Sequence, residues 1–331
     1  MDKIRNRKRQ INHEVMQIKT GRYIYNLNYP SYEKESCEIE VRSLFKFDLK
    51  EKVFLASSKV HPSISPFLKS RLEIIYKAST FLELIELTTK GKITASDFMV
   101  KYMELGIDDP HFTKRREYCK TMGLVIGGLA CFTSPKITFG ITFYQGNWYF
   151  GNLTERSLYW KKHNNKPHSY SSSIGLSTAK VLINIAGNGD TSKRLIDPCC
   201  GVGTVLLEGI WAGYDIIGCE INRKTAENAR KNLRHFNYEA TVITGDIQDI
   251  DDRFDAAIVD LPYGNFSLKN DENQLKIIRN AIRISKKIVL ASSEDIRDEL
   301  TQENLKIIDH CKIGKNKNGD FLRYIWVCEV G

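Results

Sequence analysis

From Arg194 onward the chain alternates short apolar runs with amphipathic stretches, and this alternation restricts the fold more than any other feature. Residues 194–197, 215–219, 241–244, 256–259, 287–291, 306–310 and 321–328 read as strands. Helical patterns at 204–212, 224–236 and 274–285 separate several of them. Strands interleaved with helices call for an α/β fold with a mostly parallel, doubly wound sheet. Such a sheet binds its ligand outside the carboxyl ends of its strands, at the point where the strand order reverses.

The first half reads differently. A strand at 23–28 precedes helical stretches at 37–45 and 66–76, the latter with Leu72, Ile75 and Tyr76 on one face. Amphipathic stretches at 81–87, 95–105 and 114–122 follow, then two strands, 136–144 and 148–153, joined through Gln145-Gly146-Asn147 as a hairpin. This is an α+β pattern. A chain of 331 residues is long for one core, and the polar, basic run 160–168 is the expected hinge. The expected domains are therefore 1–160, an N-terminal α+β region, and 161–331.

Charge separates the same halves. Residues 1–166 carry 28 Lys and Arg against 17 Asp and Glu, a net of +11, while residues 167–331 carry 21 against 23, a net of −2. A one-sided positive field suits a polyanion, with nucleic acid the first choice. Lys161, Lys162 and Lys166, near Trp160 and Tyr170, form a candidate RNA contact strip. An ordinary solvated linker accounts for them as well. Apolar runs are too short to cross a bilayer, and no apolar segment follows the charged first residues, so a cytoplasmic protein is expected. The eight cysteines make no C-x-x-C pair and no Cys/His cluster, and no metal is expected.

The candidate chemistry lies where the first strand of the second half ends. Asp197-Pro198-Cys199-Cys200-Gly201-Val202-Gly203-Thr204 is a strand-to-helix loop whose glycines allow a tight turn and close backbone approach to a ligand. The third glycine of a dinucleotide loop is missing, since position 206 is Leu. Asp197 puts a carboxylate where a pyrophosphate would lie. A cationic ligand suits it better, and S-adenosylmethionine (SAM) carries a sulfonium and an ammonium. Glu220 closes the second strand, where it can accept ribose hydroxyls, with Asn222 fixing that loop. Asp246 and Ile247 close the third, offering an acceptor to the adenine amine and a face to its ring. Asp197, Cys199, Gly201, Gly203, Thr204, Glu220, Asn222, Asp246, Ile247 and Asp260 form the candidate cofactor-binding set. Cys199 and Cys200 sit in that loop as packing residues and not as nucleophiles, because a thiolate mechanism needs a Cys near the fourth-strand turn.

Asp260-Leu261-Pro262-Tyr263 follows the fourth strand and is the candidate catalytic turn. The lone pair of an aryl amine is delocalised into its ring. Hydrogen bonds from that amine to Asp260 and to the Leu261 carbonyl favour a pyramidal nitrogen whose lone pair faces a methyl donor. Pro262 biases Leu261 to an extended conformation, and Tyr263 offers a stacking face.

With these motifs, the second half resembles the amino-methylating class I methyltransferases, particularly the tRNA guanine-N2-methyltransferases that modify the guanine at position 10. Matching stretches are 166–186, 195–209, 218–222, 245–247 and 260–264. The resemblance implies a Rossmann-like domain, SAM contacts from Asp197, Gly201, Gly203, Glu220 and Asp246, and catalysis around Asp260, Pro262 and Tyr263. It also implies N2-methylation of a guanine in tRNA and an N-terminal THUMP-like domain within about 81–155. Leu261 departs from the family's Asp-Pro-Pro-Tyr. Two rival readings are adenine N6 methylation of DNA or RNA, and a non-catalytic RNA-binding protein with a vestigial cofactor fold.

Overall fold

The computed structural model describes residues 22–106, 108–170, 173–261, 271–314 and 322–331. The chain divides into two compact units, Met1–Tyr23 with Leu72–Leu153, and Ile24–Arg71 with Thr154–Gly331. This division differs from the expected one at 160/161. Residues 24–71 group with the C-terminal residues, and the chain returns to that unit at Thr154, ahead of the polar run expected as hinge.

The first elements in chain order are β1 (Tyr23–Leu27), α1 (Lys34–Phe45), β2 (Val53–Ala56) and β3 (Leu68–Ala78). The segment 66–76, expected as a helix, is mostly this last strand. Leu68, Ser70, Leu72 and Ile74, at every second position, are all buried, and the 3–4 spacing of Leu72, Ile75 and Tyr76 is incidental. Then come α2 (Phe81–Lys90), β4 (Phe98–Tyr102), α3 (Phe112–Leu124), β5 (Ile137–Tyr144) and β6 (Asn147–Glu155). The amphipathic stretch 95–105 is thus also a strand, pairing in parallel with β5.

In the unit holding residues 72–153, strands run in the order β3-β6-β5-β4. The β5–β6 hairpin turns at Gln145 and Gly146 with φ of 46° and 74°, the left-handed pair that a two-residue turn requires. Thr80 caps α2 by accepting from the Glu83 N–H, and the Glu83 carboxylate reaches back to the Ser79 N–H, as a Thr-x-x-Glu sequence favours. Leu84, Phe98, Met122, Ile141 and Phe150 form the core. Residues 72–153 hold 9 Lys and Arg against 8 Asp and Glu, so this stretch is not the source of the basic charge. The excess sits in residues 1–23, with 7 against 2, and in 154–166, with 4 against 1.

The remaining elements are α4 (Leu176–Gly187), β7 (Arg194–Asp197), α5 (Thr204–Trp211), β8 (Asp215–Glu220), α6 (Arg223–His235), β9 (Val242–Thr244) and β10 (Ala256–Asp260). After them come α7 (Asp271–Ile284), β11 (Lys287–Ser292), α8 (Arg297–Gln302), β12 (Lys306–Gly314) and β13 (Leu322–Glu329). Every strand expected from the alternation is present. They form one sheet in the order β12-β13-β11-β10-β7-β8-β9. The pairs from β11 through β9 are parallel, and β13 runs antiparallel to both β11 and β12. Ile196, Val259, Leu290 and Trp326 face one buried cluster with Ile278, Ala281 and Leu300 of α7 and α8. α1 packs on α4 and β12, and the Arg42 guanidinium is bidentate to Asp309 at 2.7 and 2.9 Å.

The strand order reverses between β7 and β10. The glycine loop leaves β7 there, and Asp260 ends β10 beside it.

Candidate functional site

Asp197 is 2% exposed, and its Oδ1 accepts the Cys199 N–H at 3.2 Å. Burial, with Asp260 and Glu220 adding negative charge, pushes its carboxyl well above the usual range. The loop beyond it is held by backbone bonds, Cys200 N–H to the Cys219 carbonyl at 2.9 Å and Gly203 N–H to the Cys200 carbonyl at 2.8 Å. Gly201 and Gly203 adopt φ of 53° and 83°, a region costly for any side chain with a Cβ. Thr204 opens α5, buried, with its Oγ1 free of hydrogen bonds among the described residues.

Glu220 ties the loop to β8. One carboxylate oxygen accepts the Gly201 N–H at 3.0 Å and the other the Asn222 N–H at 2.8 Å. Each oxygen keeps acceptor capacity for a ligand hydroxyl, and the two contacts fix the carboxylate's direction. Asn222 caps α6, accepting from the Lys224 and Thr225 N–H groups. Asp246 caps the turn after β9 and pairs with Lys276 at 2.9 Å. Ile247 is 5% exposed and belongs to the core cluster. Burial drives the Cys199 and Cys200 thiols well above their ordinary range, which keeps them protonated and poor nucleophiles.

Asp260 sits at the end of β10, and Leu261 is buried with its N–H donated to the Ala291 carbonyl at 3.0 Å. Burial raises the Asp260 carboxyl to about 6, opposed by Arg323. Its Oδ1 is buried without a hydrogen-bond partner among the described residues. Pro262 and Tyr263 lie outside the described residues. A buried carboxylate oxygen left unbonded is costly unless a ligand donor completes it.

The candidate RNA strip is placed unevenly. Lys161 and Tyr170 are exposed, and the Tyr170 hydroxyl accepts from Asn228 at 3.0 Å. Lys166 is half-buried. The Lys162 ammonium lies among four rings, 4.3 Å from the centre of Tyr159, 5.6 Å from Trp211, 5.7 Å from Phe236 and 5.5 Å from Tyr238. Trp160 and His163 are buried, so much of this stretch is packed structure and not solvated linker.

Sequence reasoning missed two features. One is Arg323, 3.9 Å from Asp260, contributed by a strand more than sixty residues away. The other is a buried chain of polar groups. Lys180 pairs with Glu208 at 3.2 Å, Glu208 with His163 Nδ1 at 2.6 Å, and His163 Nε2 meets the Tyr238 hydroxyl at 3.0 Å. A lone Lys in the apolar sequence of α4 was its available signal. Among the described residues, no cluster of His, Cys, Asp and Glu could hold a metal ion, and no helix is long and apolar enough to cross a membrane.

A sheet of this order, with a glycine loop after β7 and carboxyl groups at the ends of β7, β8, β9 and β10, defines a Rossmann-like class I methyltransferase fold. The chain belongs to the RMKL-like methyltransferase family, whose domain model matches residues 164–294. A "tRNA (guanine(10)-N2)-dimethyltransferase" of Methanothermobacter thermautotrophicus is 31% identical over 117 residues, covering 34% of this chain and 34% of that protein. A "Probable tRNA (guanine(10)-N2)-dimethyltransferase" of Methanothermococcus thermolithotrophicus is 30% identical over 138 residues, 37% of this chain and 83% of that protein. The match therefore spans about a third of the first relative's length. The crystal structure of TrmN from Thermus thermophilus superposes loosely, with a TM-score of 0.45 and 13% identity over 94% of this chain and all of that one.

Proposed function

We propose that this protein transfers a methyl group from SAM to the exocyclic N2 of a guanine in tRNA. The observation that carries the reading is the buried Oδ1 of Asp260, which has no hydrogen-bond partner among the described residues and is set beside the Asp197 carboxyl and the glycine loop. The chemistry of this donor set fits SAM. Acids at Asp197 and Glu220 suit a ligand with cationic and hydroxyl groups, and a dinucleotide's phosphates would be repelled. SAM supplies an electrophilic methyl carbon when bound.

The protein's own part is positioning. Asp197, Glu220, Asp246 and the backbone of Gly201 and Gly203 would hold the donor. Asp260 accepts a hydrogen bond from the amine, turns the nitrogen lone pair toward the methyl group and takes up the proton that the amine loses. With a carboxyl at about 6, Asp260 is mostly ionised at neutral pH and ready to accept. The basic residues of 1–23 and 154–166, together with the exposed Lys161 and Tyr170, support RNA as the partner. The names of the archaeal relatives support guanine as the base.

The test is transfer of a tritiated methyl group from SAM to tRNA, with digestion to nucleosides and mass spectrometry. N2-methylguanosine is expected, and N6-methyladenosine would select the other amine. Asp260→Ala should abolish transfer while calorimetry still registers SAM binding. Full activity in that variant would overturn the assignment, and failure of the wild-type chain to bind SAM would favour a vestigial fold.

A further inference from the structure

We propose that Arg323 is the counter-ion that positions Asp260 for the amine. The inference rests on reading Asp260 as the amine-binding carboxylate. Sheet register brings the two together. Asp260 of β10 pairs with Ala291 of β11, and Ala291 pairs with Ile325 of β13. Arg323 lies two residues before Ile325 in the same strand, so its side chain leaves the sheet on the face that carries Asp260. Ala291, in the strand between, puts only a methyl group in the way.

The separation is the telling part. An Arg323 terminal nitrogen stands 3.9 Å from Asp260 Oδ1, with the two side chains 10% and 19% exposed. That distance is beyond hydrogen bonding but well within strong attraction at such burial. A direct salt bridge would consume the lone pairs of Oδ1. Held back at 3.9 Å, the guanidinium supplies the field and leaves the oxygen open to an incoming N–H donor.

Burial works against ionisation of Asp260, and Asp197 of β7 and Cys199 of the glycine loop are the titratable groups beside it. Among the described residues, Arg323 is the group that opposes burial. Without it, the neutral acid is populated at higher pH, and a neutral acid is a poor acceptor and a poor proton sink. Arg323 touches neither base nor donor in this scheme and acts through Asp260.

The experiment uses the full chain labelled with carboxyl-13C aspartate, with the Asp260 signal assigned by its loss in Asp260→Asn. Arg323→Met should move the Asp260 titration midpoint upward by about one pH unit or more, since one unit corresponds to a tenfold change in equilibrium. Arg323→Gln carries the same expectation and replaces the methionine variant if that one does not fold. Arg323→Lys should restore most of the shift. In methyl transfer to tRNA, the acid limb of the kcat profile should move up by the same amount, so that activity lost at pH 6.5 returns by pH 8.5, with KM for SAM little changed. An unmoved midpoint overturns the inference, as does a lysine variant shifted as far as methionine. Equal loss of kcat at every pH would mark a merely structural role and would overturn it too. If the wild-type chain transfers no methyl group, the methyltransferase reading fails while the titration still decides the pairing.

Discussion

Replacing Glu40 with Gln should change how stability depends on pH, by an amount set by the geometry around that carboxyl. Glu40 lies on α1 and is 1% exposed. Its Oε1 accepts from Asn184 Nδ2 at 2.6 Å, and its Oε2 from the Ser65 hydroxyl at 2.5 Å. Ser65 Oγ in turn accepts the N–H groups of Phe67 and Leu68. Burial raises the carboxyl from 4.5 to about 7, against the pull of Ser65, Asn184 and Lys180. Between those two values the folded state binds more protons than the unfolded state. The contribution of Glu40 is thus fully present below pH 4.5 and is lost as pH rises through about 7. The gap corresponds to a loss of about 3 kcal/mol across the window. Glutamine cannot titrate, but its amide can accept on one side only. One of the two donors is then left facing a donor, at a cost of about 1–3 kcal/mol at all pH values. Urea unfolding of both proteins at pH 5, 6, 7 and 8 gives the difference directly, and shared titrations cancel. The variant should be the less stable at pH 5, and the gap should close or reverse by pH 8. Parallel curves would refute the argument that burial outweighs the hydrogen bonds.

Lys180→Met should cost about 3–5 kcal/mol, because it takes the buried Glu208 carboxyl's lysine partner away. Lys180→Met combined with Glu208→Met should recover most of that loss in the same denaturation assay. Lys162→Ala should lower stability by roughly 0.5–2 kcal/mol through loss of the four-ring contact. It should leave the salt dependence of tRNA binding unchanged, whereas a phosphate contact at that position would reduce the slope by about one.

The parallel sheet and glycine loop were legible because their signals are local. A strand–loop–helix is written within about a dozen residues, and each acid stands at a strand end that its own apolar run announces. The segment 66–76 misled because alternation and helical spacing overlap over so few positions, and burial of Ser70 and Arg71 carries no apolar signal. Residue Arg323 could not be read at all. Its role depends on β13 running antiparallel beside β11, a register set by strands far apart in sequence. The same holds for Glu40, whose partner Asn184 lies 144 residues away. Lys162 looked like a solvated cation because the four rings around it come from three separate places in the chain.

The unit formed by 24–71 and 154–331 opens and closes at one place. The Arg156 N–H donates to the Lys69 carbonyl at 3.0 Å, and an Arg71 terminal nitrogen lies 3.2 Å from the Thr154 hydroxyl. The chain departs after Arg71 and returns at Thr154 through neighbouring backbone, the arrangement of an insertion into a host. A short turn joining residues 71 and 154 would close the host on itself with the partners of Lys180 and Asn184 in place. A cut at 160, by contrast, would strip away Glu40, Ser63 and Ser65. The unit that carries the glycine loop is thus discontinuous in sequence, and residues 72–153 leave it and return to it at neighbouring backbone.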